Sequence, residues 1–522
     1  MPIKIAVIGA GSVGFTRGIC RDILTVPELR ETRFAFTDVS EHNLDMVARL
    51  MRKDIAANGV GATVEATTDR RRALDGADYV LSFVRVGGLE AFAHDIDVPL
   101  RYGVDQCVGD TLGPGGILYA QRGIPVLLDF CQDIREVSND ALFLNYSNPM
   151  AMLTWACNHY GGVETVGLCH GVMGGHGQIA RVTERWAKAK GLLDSEAKLS
   201  KRDVDIVCAG INHQTWYTQV RWNGIDMVPH LLEAFEMDEE YVKTEKVRID
   251  VLRRFGYYST ESNGHLSEYL PWYRKRPSEI MDWIDLGSWI NGETGGYLRV
   301  CTEGRRWFEH DFPNWMAGEP FSYAPEKRGE EHGSYIIESL ETGRVYRGHF
   351  NRVNNGTIRN LPDDCIVEAP GYVDRNGIST PTVDDLPLGC AAICNASVAV
   401  QRLAVEASIE GDVRKLKQAM LLDPLTAAVC NPPEVWQMAD EMLVALAEWL
   451  PQWAEEVPLA RTRLETETGV PTRNYDGAAR LPTKTVREME ATAEERRKLA
   501  AESDKAKERP AAHASTGPEG DA

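Results

Sequence analysis

The chain has 522 residues, 43% of them hydrophobic, and a formal net charge of −20. That length accommodates about two or three domain-sized units with a substantial core, and the composition is that of a globular protein. The acidity argues against nucleic acid or anionic membrane as a partner, because phosphate binding needs clustered Lys and Arg. A small molecule, uncharged at its reacting centre, fits better.

The first apolar run, Ile3 to Ile8, is too short for a signal peptide and ends in glycines, and no later run approaches a membrane-spanning length. A cytoplasmic protein is expected. The 11 cysteines fall at irregular intervals with no paired framework, as buried thiols of a reducing compartment do.

Over residues 1–200 the runs KIAVIGA, RFAFTD, ADYVLSFV, ALFLNYS and ETVGLCH alternate with helical stretches, which predicts a parallel, doubly wound α/β sheet with crossover helices. VDIVCAGINH and TWYTQVRW open a second, α+β unit over 201–455, dense in aromatic and polar residues through YYSTESNGHLSEYLPWY. Such content suits a sugar-shaped cleft, or equally an aromatic core or subunit interface. Residues 389–450 read as amphipathic helices, with Cys390 and Cys394 in the core rather than on a metal. From residue 480 the chain turns Ala-rich and charged, with nine basic and nine acidic residues, predicting a disordered tail over 480–522 with at most one frayed helix.

KIAVIGAGSVGF carries the strongest local signal. Gly9, Gly11 and Gly14 form G-x-G-x-x-G directly after a predicted strand, with Ser12 and Val13 between the last two, and Asp38 ends the next strand 24 residues after Gly14. The first glycine permits a tight turn, the second lets backbone approach a pyrophosphate, and the third lets the helix pack on the sheet. Asp38 then takes the ribose hydroxyls and disfavours a 2′-phosphate, so NAD+ is expected over NADP+.

Residues at the carboxyl ends of strands face the ligand crevice of such a sheet. Cys169 follows one strand-like run, and Asn212 and His213 follow another. A thiolate and a neutral imidazole are good ligands for a divalent metal, and two protein ligands leave positions open for substrate oxygens. On spacing alone they are as readily a buried cysteine and a hydrogen-bonded core histidine. Asn148, in NYSNPM, is either a turn residue before Pro149 or a ligand donor.

GAGSVGF with Asp38, DTLGPGG, NYSNPM, GLCHGV, GINH, TESNGHLSEYLPW and NNGTIRNLPDDCIVE, in this order, resemble glycoside hydrolase family 4 to about residue 455. The resemblance implies a fold like lactate and malate dehydrogenases, and glycoside hydrolysis with NAD+ and a divalent metal, usually Mn2+. It matches Cys169 and His213 to the metal ligands, Asn148 to a substrate-binding asparagine, and Tyr269 to the catalytic base. His265 and Glu268 lie close to Tyr269 and are expected as substrate contacts, or as the base in its place.

This family is an exception to carboxylate-pair glycosidases. The implied route oxidises C3 with NAD+, removes the now acidic C2 proton, expels the glycosidic oxygen by elimination, adds water and returns the hydride. His170 is the expected acid or a sugar-hydroxyl contact, and Asp110 is expected to face the sugar or order its loop. DTLGPGG and TESNGHLSEYLPW are most like the α-galactosidase branch, so an unphosphorylated α-galactoside is the expected substrate, with α-glucoside, α-glucuronide and α-galacturonide as alternatives. A homodimer or homotetramer is expected. A dehydrogenase of a sugar or hydroxy acid is the reading from another class, since fold alone does not fix function.

Overall fold

The structure, a computed structural model, describes residues 2–495. Its strands are β1 (Lys4–Ile8), β2 (Arg33–Thr37), β3 (Thr63–Ala66), β4 (Tyr79–Ser82), β5 (Leu142–Asn145), β6 (Thr165–Gly167), β7 (Asp205–Ile211), β8 (Gln214–Trp222), β9 (Ile225–Asp226), β10 (Tyr346–Val353), β11 (Ile366–Asp374) and β12 (Gly377–Ser379). The helices that frame the site are α1 (Val13–Leu24), α2 (Gly88–Arg101), α3 (Gly113–Val137), α4 (Gly171–Ala189), α5 (Asn263–Tyr269) and α6 (Gly296–Ala317), and α7 (Leu388–Glu410) is a long core helix.

All the strands join one sheet in the order β3-β2-β1-β4-β5-β6-β10-β11-β7-β8-β9, with β12 on β11. The pairs from β3 to β6 are parallel, and those from β6 onward are antiparallel. The order 3-2-1-4-5-6 is the doubly wound dinucleotide-binding topology. Along β1, Ile5 and Val7 enter one core while Ala6 and Ile8 enter the core on the other face. A strand covered on both faces has to be apolar throughout, which is why KIAVI reads as a continuous run. Edge strand β3, TVEA, is half exposed and gives no such signal.

Strands β10 and β11 lie between β6 and β7, so the sheet runs unbroken across residue 200 and the two expected units share it. Helix α7 is long and apolar enough by length and composition to cross a membrane, contrary to the expectation that no run approaches this. Half of its apolar window is buried in the protein, with Cys390 and Cys394 in the core as expected. Residues 480–495, expected as tail, contain a helix over 486–495 and bond to the body, while the remainder of the expected tail, 496–522, lies outside the described residues.

Asp95 of α2 and Arg122 of α3 form a fully buried bidentate pair at 2.8 and 2.5 Å. Arg122 Nε also donates to Val86 O at 3.2 Å, which ties the loop after β4 to α3. Arg122→Met leaves the Asp95 carboxylate buried without its counter-ion, and should cost about 3–5 kcal/mol in urea unfolding. Adding Asp95→Asn should recover much of that loss, because no unpaired charge then remains.

Candidate active site

The carboxyl edge of the parallel strands carries the site. After β1 the chain turns at Gly9, with φ 83°, where an added Cβ would lie 2.7 Å from Phe83 O. Gly11 N donates to Asp38 Oδ2 and Ser40 N to Asp38 Oδ1, both at 2.8 Å. The Asp38 carboxylate is thereby fixed with lone pairs left over for a diol. A Cβ on Gly11 would fall 2.8 Å from Asp38 Oδ2, whereas one on Gly14 would meet nothing within 4 Å. The later glycines thus differ from the sequence expectation. Gly11 is small because Asp38 packs on it, and Gly14, instead of packing on the sheet, opens the first turn of α1 to the cleft. Ser12 makes no side-chain cap bond, so its hydroxyl and the helix-end N–H groups are free for an anion.

Gly9, Gly11, Ser12, Val13, Gly14 and Asp38 line a cleft of about 1100 Å³, shared with Arg85, Gly87 to Glu90, and Cys301, Arg305 and Phe308 of α6. The bare glycines, the free helix end and this space fit a dinucleotide. Arg85 stands at its inner end. The guanidinium lies over the rings of Phe92, Tyr119 and Tyr297 at 4.0, 4.7 and 5.3 Å, and 3.6 Å from Asp110 Oδ2, while its buried Nη1 has no partner. The rings hold the charge without using up its donors.

Beyond Arg85, one ligand atom each from Cys169, His213 and Glu261 lie within 4.8 Å of one another, and Asp110, His213 and His265 form a second such group. Cys169 follows β6 and accepts from Gly171 N at the start of α4 at 3.4 Å. His213 occupies the two-residue hairpin between β7 and β8 with Asn212, at φ 62°, a left-handed conformation rare for a residue with a side chain. Its neighbours fix its tautomer. Thr111 Oγ1 donates to Asp110 Oδ1 at 2.9 Å and so must accept at its 2.7 Å contact with His213 Nδ1. Nδ1 therefore carries the proton, and the bare Nε2 faces Glu261 Oε2 at 3.5 Å.

Burial pushes Cys169, His265, Tyr269 and Glu368 toward their neutral forms, whereas at Glu261 burial is outweighed by the two histidines, which lower the pKa. Burial, then Glu261 and Glu368, raises the Cys169 thiol, and burial, then Glu268 and Asp110, raises the Tyr269 phenol. Burial lowers His265 to about 4, and burial followed by Glu261 raises Glu368 of β11 to about 8. Asn212 Nδ2 donates to Glu368 at 3.4 Å, yet Asn212 Oδ1 and Glu368 Oε1 are buried without partners. A divalent cation reverses these costs by favouring thiolate, carboxylate and phenolate together. The donor set fits one. Thiolate and imidazole alone favour softer metals, and the Glu261 oxygen makes the set suitable for Mn2+.

Other predicted residues gather around this group. Tyr269 OH lies 3.4 Å from His213 Nδ1, Asn148 Nδ2 donates to Asp110 Oδ2 at 2.9 Å, and His265 Nδ1 is 2.7 Å from Ser262 Oγ. His170 lies beside the donor group with its side chain 45% exposed and Nε2 2.9 Å from Glu331. Burial alone would lower its pKa, but Glu331 raises it overall. Glu268 differs from its expected part as base or substrate contact. Its carboxylate accepts the N–H groups of Cys107, Val108 and Gly109 at 2.6, 3.0 and 3.1 Å, which makes it the anchor of the loop between α2 and α3. Sequence reasoning missed Arg85, Thr111 and Glu261. Only Glu261 left a usable trace, as a carboxylate four residues before His265.

The matched family descriptions are "Family 4 glycosyl hydrolase" over residues 4–185 and "Family 4 glycosyl hydrolase C-terminal domain" over 208–426. The chain belongs to glycoside hydrolase family 4. An α-galactosidase of Rhizobium meliloti (strain 1021) is 57% identical to this family 4 enzyme over 495 residues, 94% of this chain and 98% of its own. An α-galactosidase of Bacillus subtilis (strain 168) is 32% identical, over 86% of this chain and 99% of its own. A 6-phospho-α-glucosidase from gut microorganisms, solved with NAD and glucose-6-phosphate, matches at TM-score 0.68 and 25% identity, over 86% of this chain and 99% of its own.

Glu261→Gln should weaken Mn2+ binding at least about tenfold in a calorimetric titration, and Thr111→Val should weaken it about 10–100-fold by releasing the His213 tautomer. NAD+ affinity, measured on the same samples, should stay within about twofold because Asp38 and the glycines are untouched. Wild-type Mn2+ affinity in both variants would remove the metal assignment.

Proposed function

We propose that this family 4 hydrolase cleaves unphosphorylated α-galactosides by redox-assisted elimination, working in the cytoplasm as a homodimer or homotetramer. When bound, NAD+ would supply a reversible hydride acceptor for oxidation at sugar C3, and a divalent metal, Mn2+, would supply a Lewis acid for the charge that develops on the sugar. Gly9, Gly11, Ser12, Val13, Gly14 and Asp38 hold the dinucleotide, and Cys169, His213 and Glu261 hold the metal.

The observation that carries the reading is the chain Arg85–Asp110–Thr111–His213, which runs from the dinucleotide cleft to the metal donors. It lets one small molecule meet both. Tyr269 is the base at C2, supported by its hydroxyl beside His213, while Glu268 is occupied by backbone and His265 is held by Ser262. His170 is the acid at the glycosidic oxygen, with Glu331 sustaining its proton. Asp110 and Asn148, bonded to each other, and His265 position the sugar hydroxyls. Three acids near the site, Asp110, Glu261 and Glu331, oppose a phosphate or uronate. The 57% identity to an α-galactosidase supports galactose over glucose.

Assayed on p-nitrophenyl α-glycosides with NAD+, Mn2+ and reductant, the α-galactoside should turn over fastest, and only with NAD+ present. No matching NADH should accumulate, since the hydride is returned. NADH released in step with product would instead establish the dehydrogenase reading. His170→Asn should cut turnover of an alkyl α-galactoside about 10²–10⁴-fold and that of the p-nitrophenyl substrate much less, because a good leaving group needs no acid. Equal losses on both would take the acid role from His170.

A further inference from the structure

The segment after residue 469 lies beyond the matched family models, which end at residue 426. The B. subtilis α-galactosidase, aligned over 99% of its own length, accounts for 86% of this chain. In the structure this segment crosses three pieces that frame the site. Arg473 N donates to Arg101 O at the end of α2 at 2.7 Å, and Arg480 pairs with Asp97 of α2 at 2.8 Å. Tyr475 OH and Ala478 N donate to Asp105 Oδ2 at 2.5 and 3.0 Å. Ala479 and Thr294 exchange bonds just before α6, Ala479 N to Thr294 Oγ1 at 3.2 Å and Thr294 N to Ala479 O at 3.1 Å. Lys484 N then donates to Glu303 at 2.8 Å, and Glu490 meets His310 at 2.7 Å, both on α6.

The pieces so held carry the working residues. Asp105 is fully buried in the loop between α2 and α3. The N–H groups of Cys107, Val108 and Gly109 in that loop anchor Glu268, and Asp110 follows them. The other Asp105 oxygen takes Thr294 Oγ1 at 2.7 Å and Arg274, and Gln106 O accepts Gly295 N at 2.8 Å, so loop and α6 form one unit. Helix α6 supplies Cys301, Arg305 and Phe308 to the cleft, and Arg305 reaches Glu90 on the opposite wall at 3.2 Å. Removing Tyr475 and Ala478 would strip a buried carboxylate of two of its donors and free α6 along its outer face.

We propose that residues 473–490 are a positioning strap, which fixes the Asp105–Asp110 loop and α6 so that the Asp110 carboxylate and the cleft wall are in place before ligands arrive. The proposal rests on the dinucleotide reading of the cleft. Order present beforehand need not be created on binding, so the strap acts on affinity more than on the chemical step.

The test compares the full chain with Tyr475→Phe, which keeps the ring and loses the bond to Asp105, and with a chain ending at Gly469. In both, amide exchange should quicken over 104–110 and 294–310 in the ligand-free protein. The NAD+ Kd, titrated without turnover, and the glycoside KM should each rise about tenfold, while kcat at saturation changes less than about twofold. A peptide of residues 470–495 should restore NAD+ affinity to the shortened chain, and the same peptide with Tyr475→Phe should not. Should the shortened chain fail to fold, Tyr475→Phe decides alone. A folded Tyr475→Phe protein with wild-type exchange, Kd and KM overturns the strap even if its melting temperature falls. A wild-type protein that binds no NAD+ would overturn the cofactor reading instead, and the exchange measurement would still judge the strap.

Discussion

Buried negative charge without enough positive charge is the constraint on which this site depends. Asp110, Glu261 and the Cys169 thiol converge on two histidines, one of which has its pKa held near 4 by burial, and Glu368 adds to the negative field at the thiol. Arg85 is the guanidinium at hand, and it faces Asp110 alone among these acids, at 3.6 Å. Burial presses the Cys169 thiol and Glu368 toward their neutral forms, whereas Glu261, although burial raises it, is held below the usual carboxylate range by His213 and His265. A stable fold tolerates such a costly arrangement at a working site. On the proposed function, a divalent ion held by Cys169, His213 and Glu261 would relieve this conflict, because it would favour the thiolate and the phenolate of Tyr269. In the proposed route the two chemistries would cooperate, because a ketone at C3 would make the C2 proton acidic and a divalent ion would stabilise the charge that develops.

The fold brings these parts together by topology rather than by sequence proximity. Turns after β1, β2, β4, β5 and β6 all open at the same sheet edge, giving Gly9, Asp38, Arg85, Asn148 and Cys169. The antiparallel half continues the sheet, so that the β7–β8 hairpin brings His213 up to Cys169 and Glu261 from the far side. Two anchors then tune the geometry. Thr111 passes the demand of Asp110 for a donor on to the His213 ring, and Glu268 gathers three N–H groups to shape the loop that carries Asp110.

Much of this was legible in the sequence because it is local. An apolar run buried on both faces, a glycine turn and an acid ending the next strand each follow from near-neighbour chemistry, and the structure places Gly9, Gly11, Gly14 and Asp38 on one cleft. The separate jobs of Gly11 and Gly14 were not legible, because they depend on Asp38 packing against one and not the other. Cys169 and His213 could be suspected from strand ends, but the third donor, Glu261, comes from a segment without periodicity that reaches them only through tertiary contacts. Glu268 misled for the opposite reason. A carboxylate beside a tyrosine expected to be the base reads as chemistry, and only the folded loop reveals its three backbone partners. Residues 480–495 read as tail because their composition is charged and small, although their contacts are mostly hydrogen bonds and ion pairs, which hydrophobic patterning does not report.

The central claim is that the C2–H bond of the sugar breaks during hydrolysis. Turnover of an α-galactoside in D2O, followed by NMR of the released sugar, tests it most directly. The account predicts deuterium at C2 of the product, introduced when the base returns a proton exchanged with solvent, and no turnover without NAD+. Product that retains its original hydrogen at C2, formed at full rate with NAD+ removed, would contradict it.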